Sequence, residues 1–201
     1  MIQRFSPHSY SIIYKRKEEG RFLPDFRSRL EVGVSSPKTM KTDIGEYIVG
    51  GYLKVIKQCD FVDYNVRMPG GGLKGLSELD VVGLDFKTKT AYLCEVTTHI
   101  RGLLYGNNQT TVEKIKQKHE VQKEYAELLL KDFPNRIYMF WSPYVPEGYI
   151  TTELGKIETL QLVINKDYTH CIEEMRKFAA KNTNDLGNPF LRVLQILEHL
   201  R

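Results

Sequence analysis

Residues 77–98 read SELDVVGLD, then FKTKT, then AYLCEVTT. Two short runs of β-branched and apolar residues flank a polar break of Lys and Thr, which predicts a β-hairpin. Each run carries a carboxylate where an apolar strand has least use for one. Asp80 opens the first run, and Glu95 lies inside the second. Side chains alternate along a strand with period two. Asp80, Val82 and Leu84 are therefore expected to share one face, and Ala91, Leu93, Glu95 and Thr97 another. A carboxylate buried in such a strand is costly unless its charge is compensated. If the two faces coincide, Asp80 and Glu95 converge, and a divalent cation is the compensation expected.

The rest of the chain frames that hairpin. Asp43 is a plausible N-cap. From Ile44 the pattern is helical, with Ile44, Tyr47, Ile48, Tyr52, Leu53 and Ile56 at i, i+3, i+4 spacing. Glu46 lies in the first turn, where an acid complements the helix dipole. FVDYNVR predicts a strand, and MPGGGLKGLSE a glycine-rich loop. After the polar loop HIRGLLYGNNQTT, a long helix is predicted over about 111–131. Its inward stripe is Val112, Ile115, His119, Gln122, Ala126 and Leu129, bordered by Lys118 and Tyr125, with Lys114 one turn earlier. A stripe that is apolar at its ends and polar in its middle predicts a helix crossing a polar site. NRIYMFWS is a further strand, residues 146–156 a short helical stretch, and ETLQLVIN a strand. Two helices follow, over about 168–181 and after Pro189. The order helix, three strands, helix, strand, helix, strand, helices predicts an α/β fold with a mixed sheet flanked on both faces.

With 201 residues, 41% of them hydrophobic, the chain suits one domain with a real core. No apolar run approaches the roughly 18 residues of a membrane span, and MIQRFSPHSY lacks the apolar region of a secretory signal. Cys59, Cys94 and Cys171 are too few and scattered for a disulfide framework, so reduced thiols and a cytoplasmic protein are expected. The net charge of +4 is only mildly basic. Residues 1–42 nevertheless form a basic N-terminal extension, ahead of an α/β domain over 43–201. Arg4, Lys15, Arg16, Lys17 and Arg21 are interleaved there with Phe5, Tyr10, Tyr14 and Phe22. That pattern suits phosphate contact and base stacking. Aromatic residues packing on the core are the plainer account.

GEYIVGGYLKVI, DYNVR, SELDVVGLD and AYLCEVTTHIRG, in that order, resemble the PD-(D/E)xK nuclease superfamily, and most the branch of Holliday-junction resolvases and restriction-endonuclease-like enzymes. The resemblance covers about 45–101. It implies a restriction-endonuclease-like core with Asp80 and Glu95 as metal ligands and Glu46 as a supporting acid. It also implies a lysine two residues after Glu95, where this chain has Thr97. A threonine hydroxyl cannot supply that lysine's charge. In some branches the lysine moves to another element. Lys118 and Lys114 on the long helix are the candidates here, with Lys74 in the glycine-rich loop a further one, and Gln122 is read as part of the same catalytic group. Arg67, Lys74, His99, Arg101 and Tyr125 are the expected nucleic-acid contacts.

The expected function is a Mg²⁺-dependent endonuclease, with Mn²⁺ able to substitute, acting on double-stranded or branched DNA as a homodimer. Loss of the motif lysine leaves a second reading open, a subunit of the same fold that binds nucleic acid without cutting it. A third makes the acids internal salt-bridge partners, with Glu95 held by Lys114, Lys118 or Arg67. Trp141 is expected in the core.

Overall fold

A computed structural model of the protein describes residues 42–67 and 78–201. The basic segment 1–41 and the glycine-rich loop with Lys74 lie outside the described residues. The elements are α1 (Ile44–Val55), β1 (Phe61–Arg67), β2 (Glu78–Asp85), β3 (Thr90–Val96), α2 (Asn108–Leu129), β4 (Asn135–Ser142), α3 (Tyr149–Gly155), β5 (Leu160–Ile164), α4 (Asn165–Ala179) and α5 (Pro189–His199). Their order is the one the periodicities predict.

The strands form one five-stranded mixed sheet in the order β1-β2-β3-β4-β5. β1, β2 and β3 are antiparallel neighbours, while β3, β4 and β5 run parallel. The β2–β3 turn is tied by Asp85, whose carboxylate accepts from the Lys87 and Thr88 amides and the Thr88 hydroxyl. Parallel pairing needs a crossover, and α2 supplies it between β3 and β4.

Alternation along β3 and β4 divides the interior into two sides. Tyr92, Cys94, Met139 and Trp141 pack with Val49, Tyr52 and Leu53 of α1 and with Tyr168, Cys171 and Met175 of α4. Leu93 and Ala91 pack with Tyr125 and Ala126 of α2, and Phe140 packs with Val112 and Ile115. Trp141 is fully buried, and Tyr52 and Tyr168 meet its ring at 5.1 and 6.0 Å. All three cysteines are buried and free. Among the described residues, no helix is long and apolar enough to cross a membrane.

Helix α2 is rotated slightly from the expected phase. Leu129 is 43% exposed, and Tyr125 takes its place inside. Tyr125 is thus a core residue, closed in by Leu79, Val82 and Leu93. The expectation that it contacts nucleic acid is corrected on that ground.

Helix α1 lies close on β1 at Gly50. A Cβ there would stand 2.2 Å from the Tyr64 hydroxyl oxygen and 2.6 Å from two of its ring carbons. Because the ring itself blocks the space, Gly50→Ala is expected to cost about 1–3 kcal/mol by overpacking. A lower urea midpoint with an unchanged slope checks this, and an unchanged midpoint refutes it.

Candidate active site

The start of α1 is held by a capping box. The Asp43 carboxylate accepts from Gly45 N–H at 2.9 Å, and Glu46 Oε2 accepts from Asp43 N–H at 3.1 Å. Gly45 brings this end against β3 and the residues after it, since a Cβ would meet Thr98 Cγ2 at 2.3 Å and Val96 Cγ1 at 3.1 Å. Glu46 Oε2 also accepts from Asn65 Nδ2 at 2.8 Å. Glu46 therefore serves the helix cap and fastens α1 to β1.

Asn65 has φ 54°, the left-handed region that Asn tolerates better than most residues. There the alternation of β1 slips. Tyr64 packs with the α1 side, whereas Val66 packs with the cluster under α2. β2 slips opposite it, because Leu79 joins the same cluster as Val82. Asp80 lies at the slip, so strict alternation does not extend to it. Beyond the last paired residues of β2 and β3, Val81 and Cys94, the Asp80 side chain takes over from the backbone ladder. Its Oδ2 accepts from Val96 N–H at 2.7 Å. The half-buried Asp80 carboxylate thereby sits beside the end of β3.

Glu95 is buried at 6% exposure, one residue before that amide. Its Oε1 accepts from Lys118 Nζ of α2. Burial, then the neighbouring Asp80, push the Glu95 carboxyl up to about 8, against the pull of Lys118. Asp80 is raised too, by burial, although Lys118 and the Val96 amide oppose the shift. Asp80 and Glu95 each accept a donor from elsewhere, the Val96 amide and the Lys118 ammonium, and burial pushes both carboxyls up. Glu46 is raised by burial, with Asn65 opposing. Burial works against the charge of Lys118, but Glu95 and Asp80 outweigh it and hold its pKa above that of an ordinary lysine. Fully ionised, the cluster holds two carboxylates against one ammonium. One negative charge is left over, to be met by a proton or a cation.

The remaining expected site residues divide clearly. Lys118 reaches Glu95, while Lys114 holds its Nζ 4.9 Å over the Tyr105 ring. Gln122 is corrected from a catalytic to a structural role. It is 1% exposed, and its Nε2 donates to the Leu93 and Met139 carbonyls at 3.0 and 3.2 Å. Its Oε1 accepts from His119 Nδ1 at 3.2 Å, and Thr159 Oγ1 is 2.9 Å from His119 Nε2. The polar middle of α2 thus bonds largely to the sheet and to β5's approach, and Lys118 is the part of it that meets the acids. Arg67 is exposed, 3.6 Å from Glu78 Oε2. His99 and Arg101 are exposed in the loop after β3, and the His99 ring stands edge-on to Tyr105 at 5.8 Å. Thr97 is buried, and its N–H donates to Trp141 O at 2.9 Å.

Glu95 and Lys118 open onto a cleft of about 410 Å³ whose other walls include Tyr105, Lys114, Ile115 and Phe140. Sequence reasoning did not single out Asn65 or Tyr105. An aromatic residue beside Leu103 and Leu104 in the loop before α2 was the available signal for the latter. Among the described residues, no group of three or more His, Cys, Asp or Glu side chains stands together as a metal cage. The Asp80–Glu95 pair still fits Mg²⁺, which takes carboxylate oxygens, keeps several waters and needs only one or two protein carboxylates. No protein-family model, curated protein or solved structure matches the chain.

Proposed function

We propose that the protein is a Mg²⁺-dependent endonuclease with a restriction-endonuclease-like core, hydrolysing phosphodiester bonds in DNA. The observation that carries this reading is the charge imbalance of the buried cluster, two carboxylates from adjacent strands with one ammonium from α2. A structural salt bridge would need one acid and one base. The second acid is balanced only by a proton or by a cation, and Mg²⁺ is the cation this reading puts there.

Asp80 and Glu95 would hold the metal, which supplies Lewis-acid activation of water and of the phosphoryl oxygen. Lys118 stays charged at neutral pH, because its pKa is raised. In this reading it takes the part of the missing motif lysine, and its ammonium opposes the negative charge that develops on the phosphate. Glu46 ties the start of α1 to Asn65 of β1 and would act as the supporting acid from that position. Exposed Arg67, His99 and Arg101 supply phosphate contacts. A duplex cut on both strands takes two sites, so the reading includes a homodimer. Three free, buried thiols suit a reducing cytoplasm.

Incubation with supercoiled plasmid and with four-way junction DNA tests the proposal. Cleavage is expected with Mg²⁺ or Mn²⁺ and none with EDTA. Binding without cleavage under every metal would favour the inactive-subunit reading.

A further inference from the structure

The wall of the cleft beside Glu95 is not what phosphodiester chemistry alone requires. A phosphate needs charge and donors. This cleft adds the Tyr105 ring, Ile115 and Phe140 to Lys114 and Lys118. Its volume of about 410 Å³ lies in the range of small-ligand sites, roughly 300–1,000 Å³. Apolar and aromatic walls together with the Lys114 and Lys118 ammonium groups match a nucleotide, whose base has flat π faces and whose phosphate is anionic. Within continuous duplex the base faces are stacked on one another and cannot enter such a cleft.

A second observation lies on the same loop. Ile100 is 82% exposed and Leu104 53% exposed. Ile100 follows His99, whose ring meets Tyr105, so this apolar tip is connected to the cleft. Proteins that unstack DNA insert exposed apolar side chains of this kind between base steps.

We propose that the cleft receives one unpaired nucleotide, its base stacking on Tyr105 in place of the Lys114 ammonium, which turns with Lys118 to the phosphate. The substrate is then DNA already unstacked at the cut, such as a bubble, a flap or a mismatch, in preference to continuous duplex. Ile100 holds the neighbouring step open. This inference rests on the nuclease reading for its biological use but not for its test.

The test is binding in EDTA, where no cleavage occurs. The probes are two oligonucleotide duplexes of one sequence carrying 2-aminopurine, either fully paired or inside a short unpaired bubble. The protein is expected to bind the bubble more tightly and to change its 2-aminopurine emission. Base–aromatic stacking predicts a loss of about 5- to 150-fold in bubble affinity for Tyr105→Ala, with little change for Tyr105→Phe or on the paired duplex. Ile100→Ser, at an exposed position with little influence on folding, is expected to shrink the preference as well. Equal affinity of the native protein for both probes overturns the proposal. So does an equal loss on both probes in Tyr105→Ala. Bubble preference without any metal-dependent cleavage would keep the cleft assignment and remove the nuclease reading, whereas cleavage without bubble preference would do the reverse.

Discussion

Replacing Lys118 by methionine is expected to slow strand cleavage by about 10²–10³-fold, the usual effect of removing one preorganised electrostatic contact to the transition state. The fold should survive, because the Lys118 side chain is partly exposed and α2 is anchored elsewhere. Gln122 is that anchor. It lies one turn after Lys118, on the same helix face, and its bonds to the Leu93 and Met139 carbonyls fix the rotation of α2 against β3 and β4. That rotation brings the Lys118 ammonium to Glu95. Thr97 lies two residues beyond Glu95 and is buried beside the same sheet end. A lysine there would approach the acids from β3 rather than from α2. Thr97→Lys is therefore expected to restore part of the activity lost in Lys118→Met, and Asp80→Ala should abolish cleavage in either background. Single-turnover nicking of supercoiled plasmid reads all three. An unchanged rate in Lys118→Met would show that the site works without this ammonium.

Much of this arrangement was legible before any coordinates. Period-two runs and helical spacing marked the elements in their observed order, and β1 and β4 have the expected bounds. Two carboxylates in apolar strands marked the candidate site, and Thr97 in place of a lysine pointed to α2, whose Lys118 meets Glu95. What was not legible has physical reasons. A single left-handed residue, Asn65, leaves no trace in an apolar pattern, yet it turns Val66 to the other face and accompanies the slip at Asp80. Gln122 read as a site residue because a polar group in an apolar stripe looks alike whether it faces a ligand or a backbone carbonyl. The phase of α2 near Leu129 and Tyr125 was ambiguous for a related reason, since tertiary bonds set the helix rotation. Glu46 carries both its local meaning, a capping-box acid, and its long-range one, a tie to Asn65. Only the first is visible in the order of residues.

In metal-free buffer, stability is expected to fall as pH rises from about 4.5 to about 8, and Glu95→Gln should remove most of that fall. The unfolded Glu95 carboxyl titrates near its ordinary value of 4.5, while burial and Asp80 hold the folded one near 8. Between those values the folded state keeps a proton that the unfolded state has released, so raising the pH favours unfolding. Below about 4.5 both states are protonated and the penalty vanishes. Above about 8 both are ionised and the penalty is complete. At about 1.4 kcal/mol per pKa unit, it amounts to a few kcal/mol. Asp80 is raised as well and adds in the same direction. Buried His119 works the other way, because its lowered pKa makes the folded state bind fewer protons than the unfolded one near neutrality. Comparing native protein with Glu95→Gln cancels that contribution, since both retain His119. In the variant, Asp80 and Lys118 remain as one acid and one base. Thermal melting by circular dichroism in EDTA, from pH 5 to pH 9, gives the slopes. Added Mg²⁺ competes with the proton for the same carboxylates, so it should raise the native melting temperature most at pH 8 and least at pH 5. Parallel slopes for the two proteins, or a Mg²⁺ effect that Glu95→Gln leaves untouched, would refute the charge imbalance at Asp80 and Glu95 on which the metal assignment rests.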